Sequence, residues 1–206
     1  MGLYERFVLA PALNCVCALP LVTAQRRKVV PRARGRVLEV GLGSGLNFSL
    51  YDPAQVTSVT GLDPSEALFA YARERSRGLA FPVELLVGRA EANPLPDAVF
   101  DTVLVTYTLC SIPDVEAALA HMRRVLAPGG QLLFCEHARA PDAGIRRQQQ
   151  WLEPVWKPLA GGCHLTRDTP SLLERAGFRI DAMESYYVPK VPRFAGYHHV
   201  GAAHAE

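Results

Sequence analysis

The sequence predicts an α/β fold: a mainly parallel sheet with helices on both faces. Three observations carry this. Strand-like and helix-like stretches alternate from Arg36 onward, the pattern that produces parallel strands joined by crossover helices. The first strand-like run ends in a glycine-rich turn, Glu39-Val40-Gly41-Leu42-Gly43-Ser44-Gly45. The second ends in a carboxylate, Asp63. In open parallel sheets, ligands bind beyond the carboxyl ends of the strands, where the strand order reverses, and both features belong there.

The elements follow in chain order. Phe7–Ala24 is almost wholly apolar and close to the length of a membrane span. Pro11, Asn14 and Pro20 interrupt it, and a proline inside a helix costs about 3 kcal/mol. Val22-Thr23-Ala24 resembles a signal-peptide cleavage site, but a ligand-binding domain follows at once. The reading is therefore one or two short helices that pack on that domain as a lid, with Tyr4 and Arg6 reaching the crevice. Contact with a membrane surface is the alternative placement for this segment. Arg26, Arg27, Lys28, Arg32, Arg34 and Arg36 then crowd one short stretch, read as a solvated linker. Residues 1–34 thus form the apolar segment and its linker, and residues 35–206 the domain.

Within the domain, strands are predicted at Arg36–Val40, Thr57–Leu62, Val83–Val87, Phe100–Thr106 and Gln131–Cys135, with two more near Phe178–Met183 and Tyr197–Ala203. Ser65–Arg77 reads as a helix with Ser65 as N-cap and Gly78 past its end. Val115–Leu126 has apolar residues at helical spacing and stops at Pro128-Gly129-Gly130. Thr169–Ala176 is a late helix ended by Gly177.

Composition excludes several classes. A length of 206 residues, 49% of them hydrophobic, suits one domain with a sizeable core. With 22 Lys+Arg against 20 Asp+Glu, no basic footprint points to nucleic acid. The five cysteines, Cys15, Cys17, Cys110, Cys135 and Cys163, form neither a disulfide framework nor a zinc ribbon. They read as buried or idle thiols of a reducing, cytoplasmic compartment, with Cys163 structural.

The glycine turn discriminates between ligands. Glycines allow a tight turn and close approach of backbone to ligand, and a following helix N-terminus would favour an anionic group. A dinucleotide fingerprint places its third glycine at position 46, which is Leu46. A phosphate-binding P-loop needs G-K-[ST], which is absent. Asp63, before Pro64, suits paired ribose hydroxyls. Ala90-Glu91, after the third strand, suits an adenine edge. Thr106–Cys110 ends the fourth strand at the same crevice.

VLEVGLGSG, GLDPS, GRAEANPLPDAVFDTV and RVLAPGGQLLF, spanning Val37–Phe134, resemble the successive motifs of the S-adenosylmethionine (SAM)-dependent class I methyltransferases. That resemblance implies a Rossmann-like seven-stranded sheet whose last strand is antiparallel, and SAM as cofactor. It carries SAM contacts onto Glu39, Gly41, Gly43, Asp63 and Ala90-Glu91. Gly45, Asn47, Pro64 and Thr106 border these and complete the expected cofactor set. Thr108-Leu109-Cys110-Ser111, Glu136-His137, Gln148-Gln149, Pro154-Val155-Trp156-Lys157 and Gly162-Cys163-His164-Leu165-Thr166-Arg167 resemble the methyltransferase-like thiol S-methyltransferases, which are membrane-associated and methylate small alkyl thiols and hydrogen sulfide. The chain departs from them in its short, proline-broken N-terminus.

The expected reaction is methyl transfer to a small lipophilic acceptor, a thiol in the first instance. Phospholipid or quinone methylation is the alternative enzymatic reading, and a non-catalytic SAM-binding protein the third. His137 is the candidate base, because the thiolate is the nucleophile; a hydrogen-bonded structural histidine is the other reading. Tyr4, Trp151, Trp156 and His164 are the candidate substrate walls, although both tryptophans also suit an extra helix packed on the sheet. His198 and His199 read as surface residues. No ligand spacing predicts a metal site.

Overall fold

The computed structural model describes residues 10–206. The chain runs α1 (Ala10–Cys17), α2 (Pro20–Arg26), β1 (Gly35–Val40), β2 (Val56–Asp63), α3 (Glu66–Arg75), β3 (Val83–Val87), β4 (Phe100–Thr106), α4 (Val115–Val125), β5 (Leu126–His137), α5 (Ala143–Leu159), α6 (Thr169–Arg175), β6 (Phe178–Tyr187), α7 (Arg193–Gly196) and β7 (Tyr197–Ala205). One seven-stranded sheet has the order β3-β2-β1-β4-β5-β7-β6. Strands β1 to β5 are parallel, and β7 lies antiparallel between β5 and β6. The α/β, Rossmann-like expectation is met, antiparallel last strand included.

The order reverses between β1 and β4, so their carboxyl ends open the crevice. Both strands are apolar through their middles because both faces are covered. On one face, Val115, Ala118, Leu119, Met122 and Val125 of α4 join Leu172 and Leu173 of α6 over Leu38, Val103 and Leu132. On the other, Phe69 and Ala72 of α3 join Val29, Val30 and Ala33 over Val37, Val59 and Leu133. Asp114 caps α4, its carboxylate accepting from the Ala117 N–H at 3.0 Å. That helix ends at Val125, and the chain is already extended through Pro128-Gly129-Gly130.

Three expectations are corrected. The stretch after α2 is no solvated linker: Val29, Val30 and Ala33 belong to the core. Arg26 is 4% exposed, while Arg27, Lys28, Arg32, Arg34 and Arg36 stay at the surface. His198 and His199 are buried, because β7 is an inner strand and not an edge. Third, the glycine turn leads into a single 3-10 turn, Phe48–Leu50, so no helix N-terminus of useful length faces the ligand. The extra helix offered for the two tryptophans is present as α5, 17 residues long with Pro154 and Pro158 inside it. Among the described residues no helix is long and apolar enough to cross a membrane. Tyr4 and Arg6 lie outside the described residues.

Candidate active site

The glycine turn is held by side chains from below. Gly41, Gly43 and Gly45 all have positive φ, at 73°, 57° and 73°, a region costly for residues with a Cβ. A Cβ on Gly41 would collide with the Thr108 side chain, and one on Gly45 with the Phe48 ring. Asp63 Oδ2 accepts from the Gly43 N–H at 2.9 Å and Oδ1 from the Ser65 N–H at 2.8 Å. Each carboxylate oxygen has about two acceptor sites, so one site on each is left for a ribose hydroxyl. Burial raises the Asp63 carboxyl above its ordinary range, opposed by those two N–H groups.

Glu39 does something else. Its two oxygens accept from Asn47 Nδ2 at 2.8 Å and from the Tyr51 hydroxyl at 2.7 Å. Asn47 also donates to Thr106 Oγ1 at 3.0 Å and accepts from Arg26 Nη1 at 2.9 Å. Arg26 in turn donates to the Cys17 carbonyl and to Thr23. Glu39, Asn47 and Thr106, expected as cofactor contacts, thus form a buried network tying the turn to β4 and to α2. Burial pushes the Glu39 carboxyl up to about 7, against its hydrogen bonds to Tyr51 and Asn47. From the other side, Arg75 Nη1 donates to the Ser44 carbonyl at 2.6 Å and to Asn14 of α1 at 3.0 Å. Pro64 is exposed and Ala90 buried beyond β2 and β3. Glu91 pairs with Arg89 at 2.9 Å. Arg26, Tyr51 and Arg75 gave no signal in the sequence beyond their residue type.

The second half of the site starts where Thr108 abuts Gly41. Thr108 and Leu109 donate their N–H groups to Glu136 Oε1 at 2.8 and 3.2 Å, which fixes the loop after β4 on the end of β5. Burial pushes the Glu136 carboxyl up to about 7, and its Oε2 has no partner. Two residues past Thr108 is Cys110. His137 ends β5 beside it, and Cys163 arrives from the loop after α5. His137 Nε2 stands 2.6 Å from Cys163 Sγ, while its buried Nδ1 has no partner among the described residues. The indole N–H of Trp156 reaches the same sulfur at 3.3 Å. The ligand atoms of Cys110, His137 and Cys163 all lie within 4.8 Å of one another. A hydrogen bond from Cys110, then those from His137 and Trp156, hold the Cys163 thiol well below its ordinary range despite burial. Cys163, expected as structural, is thus the polar centre of this end.

The two tryptophans part company. The inner face of α5 carries Gln149, Glu153 and Trp156. Gln149 binds the Ala138 and Phe194 carbonyls and the Ala140 N–H. Glu153 accepts from Thr166 and meets His164 Nδ1 at 3.1 Å. Trp156 packs edge-on against Phe194. Trp151 falls on the opposite face and is 80% exposed, so of the two tryptophans expected as a substrate wall only Trp156 turns inward; His164 is engaged in holding the Cys163 loop. His198 is stacked on Tyr107 and bound to the Gly196 carbonyl, and burial brings it down to about 4.

Comparison with known proteins agrees with this geometry. Residues 38–134 match the family model described as "Methyltransferase domain". The chain is 36% identical over 177 residues to thiol S-methyltransferase TMT1B of Homo sapiens, covering 83% of this chain and 72% of that protein. It is likewise 36% identical over 146 residues to TMT1B of Rattus norvegicus, covering 69% of this chain and 59% of that one, so it spans about three-fifths of the rat protein's length. A SAM-dependent methyltransferase structure from Thermotoga maritima, titled a possible histamine N-methyltransferase, superposes with a TM-score of 0.71 at 23% identity, covering 98% of both chains. A turn of three positive-φ glycines, a buried carboxylate bound to it and this likeness converge: the chain belongs to the SAM-dependent methyltransferases, in the family that includes the thiol S-methyltransferases.

Proposed function

We propose that the protein transfers a methyl group from SAM to a small lipophilic thiol. One observation carries the reading. An alignment of 177 residues to a thiol S-methyltransferase must run past residue 134, where the domain model stops, into the part of the chain that builds the Cys163 loop. Asp63 would hold the ribose, Gly41 to Gly45 would line the cofactor, and Ala90-Glu91 would border the adenine. When bound, SAM supplies an electrophilic methyl on a sulfonium, open to in-line displacement.

The chain's own residues then have two tasks. Alignment of nucleophile and methyl carbon is worth roughly 7–11 kcal/mol when the geometry is right, and the rigid loops after β4 and α5 provide it. The acceptor must also lose a proton. Glu153 is committed to Thr166 and His164, and Glu136 Oε1 to two backbone N–H groups. What stands at the acceptor end is the cluster of Cys110, His137 and Cys163. That equipment suits a sulfur nucleophile: two thiols and an imidazole are soft, polarizable neighbours for a thiolate, whereas an alkyl ammonium would need a dedicated base to shed its proton. The N-terminal helices α1 and α2 close the cofactor side, as Arg26 and Arg75 indicate.

The test is an acceptor panel with methyl-labelled SAM: alkyl thiols, hydrogen sulfide, phosphatidylethanolamine and a demethylated quinone. Alkyl thiols are expected to be methylated fastest. Faster methylation of phosphatidylethanolamine or of the quinone than of every thiol would overturn the thiol reading.

A further inference from the structure

We propose that Cys110, His137 and Cys163 form a zinc site with an open fourth position, and that this position takes the acceptor's sulfur. The second half of the statement rests on the thiol reading; the first does not.

The donor set comes first. Two thiols and one imidazole are what a borderline-soft divalent ion selects, and catalytic zinc sites keep three protein ligands and one free position. All three side chains are buried, and their ligand atoms lie within 4.8 Å of one another. They come from three separate places, the loop after β4, the end of β5 and the loop after α5, yet their backbones are locked together. The His164 N–H donates to the Cys110 carbonyl at 2.9 Å. Arg167 donates to the Leu109 carbonyl and, at 2.6 Å, to the Ile112 carbonyl. Glu153 holds Thr166 and His164 on the other flank. A scaffold this tied presents its ligands without ordering cost at the moment of binding.

Distances indicate how the ion would enter. Zinc lies about 2.3 Å from sulfur and about 2.0 Å from nitrogen, which puts two tetrahedral ligand atoms about 3.5 Å apart. His137 Nε2 and Cys163 Sγ stand at 2.6 Å, so the ion replaces the proton between them and moves the ring back by roughly 1 Å. Among the described residues no hydrogen bond holds that ring at Nδ1. The Trp156 N–H already points at the Cys163 sulfur, as an outer partner of a metal thiolate does. The Arg167 guanidinium stands beside the same loops and offsets the negative charge of two thiolates.

The chemistry balances without an oxidant. The acceptor thiol releases its proton to solvent as its sulfur bonds to the ion. A lone pair of that sulfur then forms the new carbon–sulfur bond while the sulfonium carbon–sulfur bond breaks, leaving S-adenosylhomocysteine. The thioether product is a poorer ligand than a thiolate and departs.

Cobalt(II), titrated into the reduced full chain and followed by absorption, tests the site without any methyl transfer. One ion per chain, with the bands of a tetrahedral site and sulfur-to-cobalt charge transfer, is the expected result. Cys110→Ser and Cys163→Ser should each weaken the charge-transfer band. Should either variant fold poorly by circular dichroism, protection of the wild-type thiols from alkylation by added zinc gives the same answer. Ethanethiol should then shift the cobalt bands as it takes the fourth position. No saturable uptake by the reduced protein, uptake unchanged in both serine variants, or a Cys110–Cys163 disulfide in a chain whose reduced form takes no metal would overturn the site. Bands indifferent to ethanethiol would overturn the open position. A chain that binds cobalt and methylates no thiol keeps the site and loses the thiol reading.

Discussion

The two halves of this active site are built in opposite ways. The heart of the cofactor half comes from one continuous stretch, Glu39 to Asp63, in which a strand, a glycine turn and a second strand set the turn and its carboxylate within 25 residues of chain. The proposed acceptor half gathers Cys110, His137 and Cys163 from two loops and a strand end. In the first half, polar groups satisfy one another through Arg26, Asn47, Glu39 and Tyr51. In the second, among the described residues, a carboxylate oxygen and an imidazole nitrogen stay unpartnered at Glu136 Oε2 and His137 Nδ1, whereas the unpartnered atom of the first half, Arg26 Nε, belongs to a guanidinium that is otherwise hydrogen-bonded. The difference is one of degree: a densely hydrogen-bonded network holds a shape, and buried acceptors without partners are candidates for a further contact.

The comparison can be broken at Asp63. If that carboxylate holds the ribose, Asp63→Ala should cost about 1.5–3 kcal/mol of SAM affinity, the range for hydrogen bonds to a charged group. Calorimetry reads this directly, and a loss below about 1 kcal/mol would remove Asp63 from the cofactor contacts.

Glu39 sharpens the same contrast through pH. Its folded pKa of about 7 lies above the ordinary 4.5. A carboxyl raised on folding binds its proton more tightly in the folded state. The stability it contributes is full below about 4.5 and is lost as pH rises through about 7. Urea unfolding at pH 5 and pH 8 should therefore show the wild type losing roughly 2–3 kcal/mol more than Glu39→Gln, which has no charge to bury. Equal pH dependence in the two would mean that Glu39 titrates alike in the folded and unfolded chain, so that burial does not raise it. Other buried acids, Glu136 among them, act alike in both proteins and cancel.

The smallest effect is expected on α5. Trp151→Ala, on the exposed face, should leave thermal stability within about 0.5 kcal/mol of wild type and leave thiol turnover unchanged. A rise in the acceptor KM on this substitution would return Trp151 to the substrate wall.

Much of the frame was legible before any coordinates. Seven strands and three of the helices follow from periodicity and from punctuation by Gly and Pro, and the glycine turn with Asp63 points to its ligand class because all those residues are close in sequence. Two cues misled. The run of six basic residues concealed Arg26, whose guanidinium is buried, because charge alone does not tell which arginine has partners. In α5, residue type alone gave both tryptophans one role, which the helix faces divide: Trp156 turns inward and Trp151 outward.

The sequence by itself thus determined the alternation of elements, the sheet they make and the cofactor end, since these depend on local periodicity and on residues within two adjacent strands. Tertiary structure alone decided the acceptor end. Whether Cys163 meets His137 and Cys110 depends on a loop closing after a 17-residue helix, held by Glu153, Gln149 and Arg167. The His137–Cys163 contact joins residues 26 positions apart, and Arg167 reaches carbonyls 55 and 58 positions back. No local propensity encodes them; they form because the sheet order sets β4 beside β5 and because buried polar side chains must find partners across the fold.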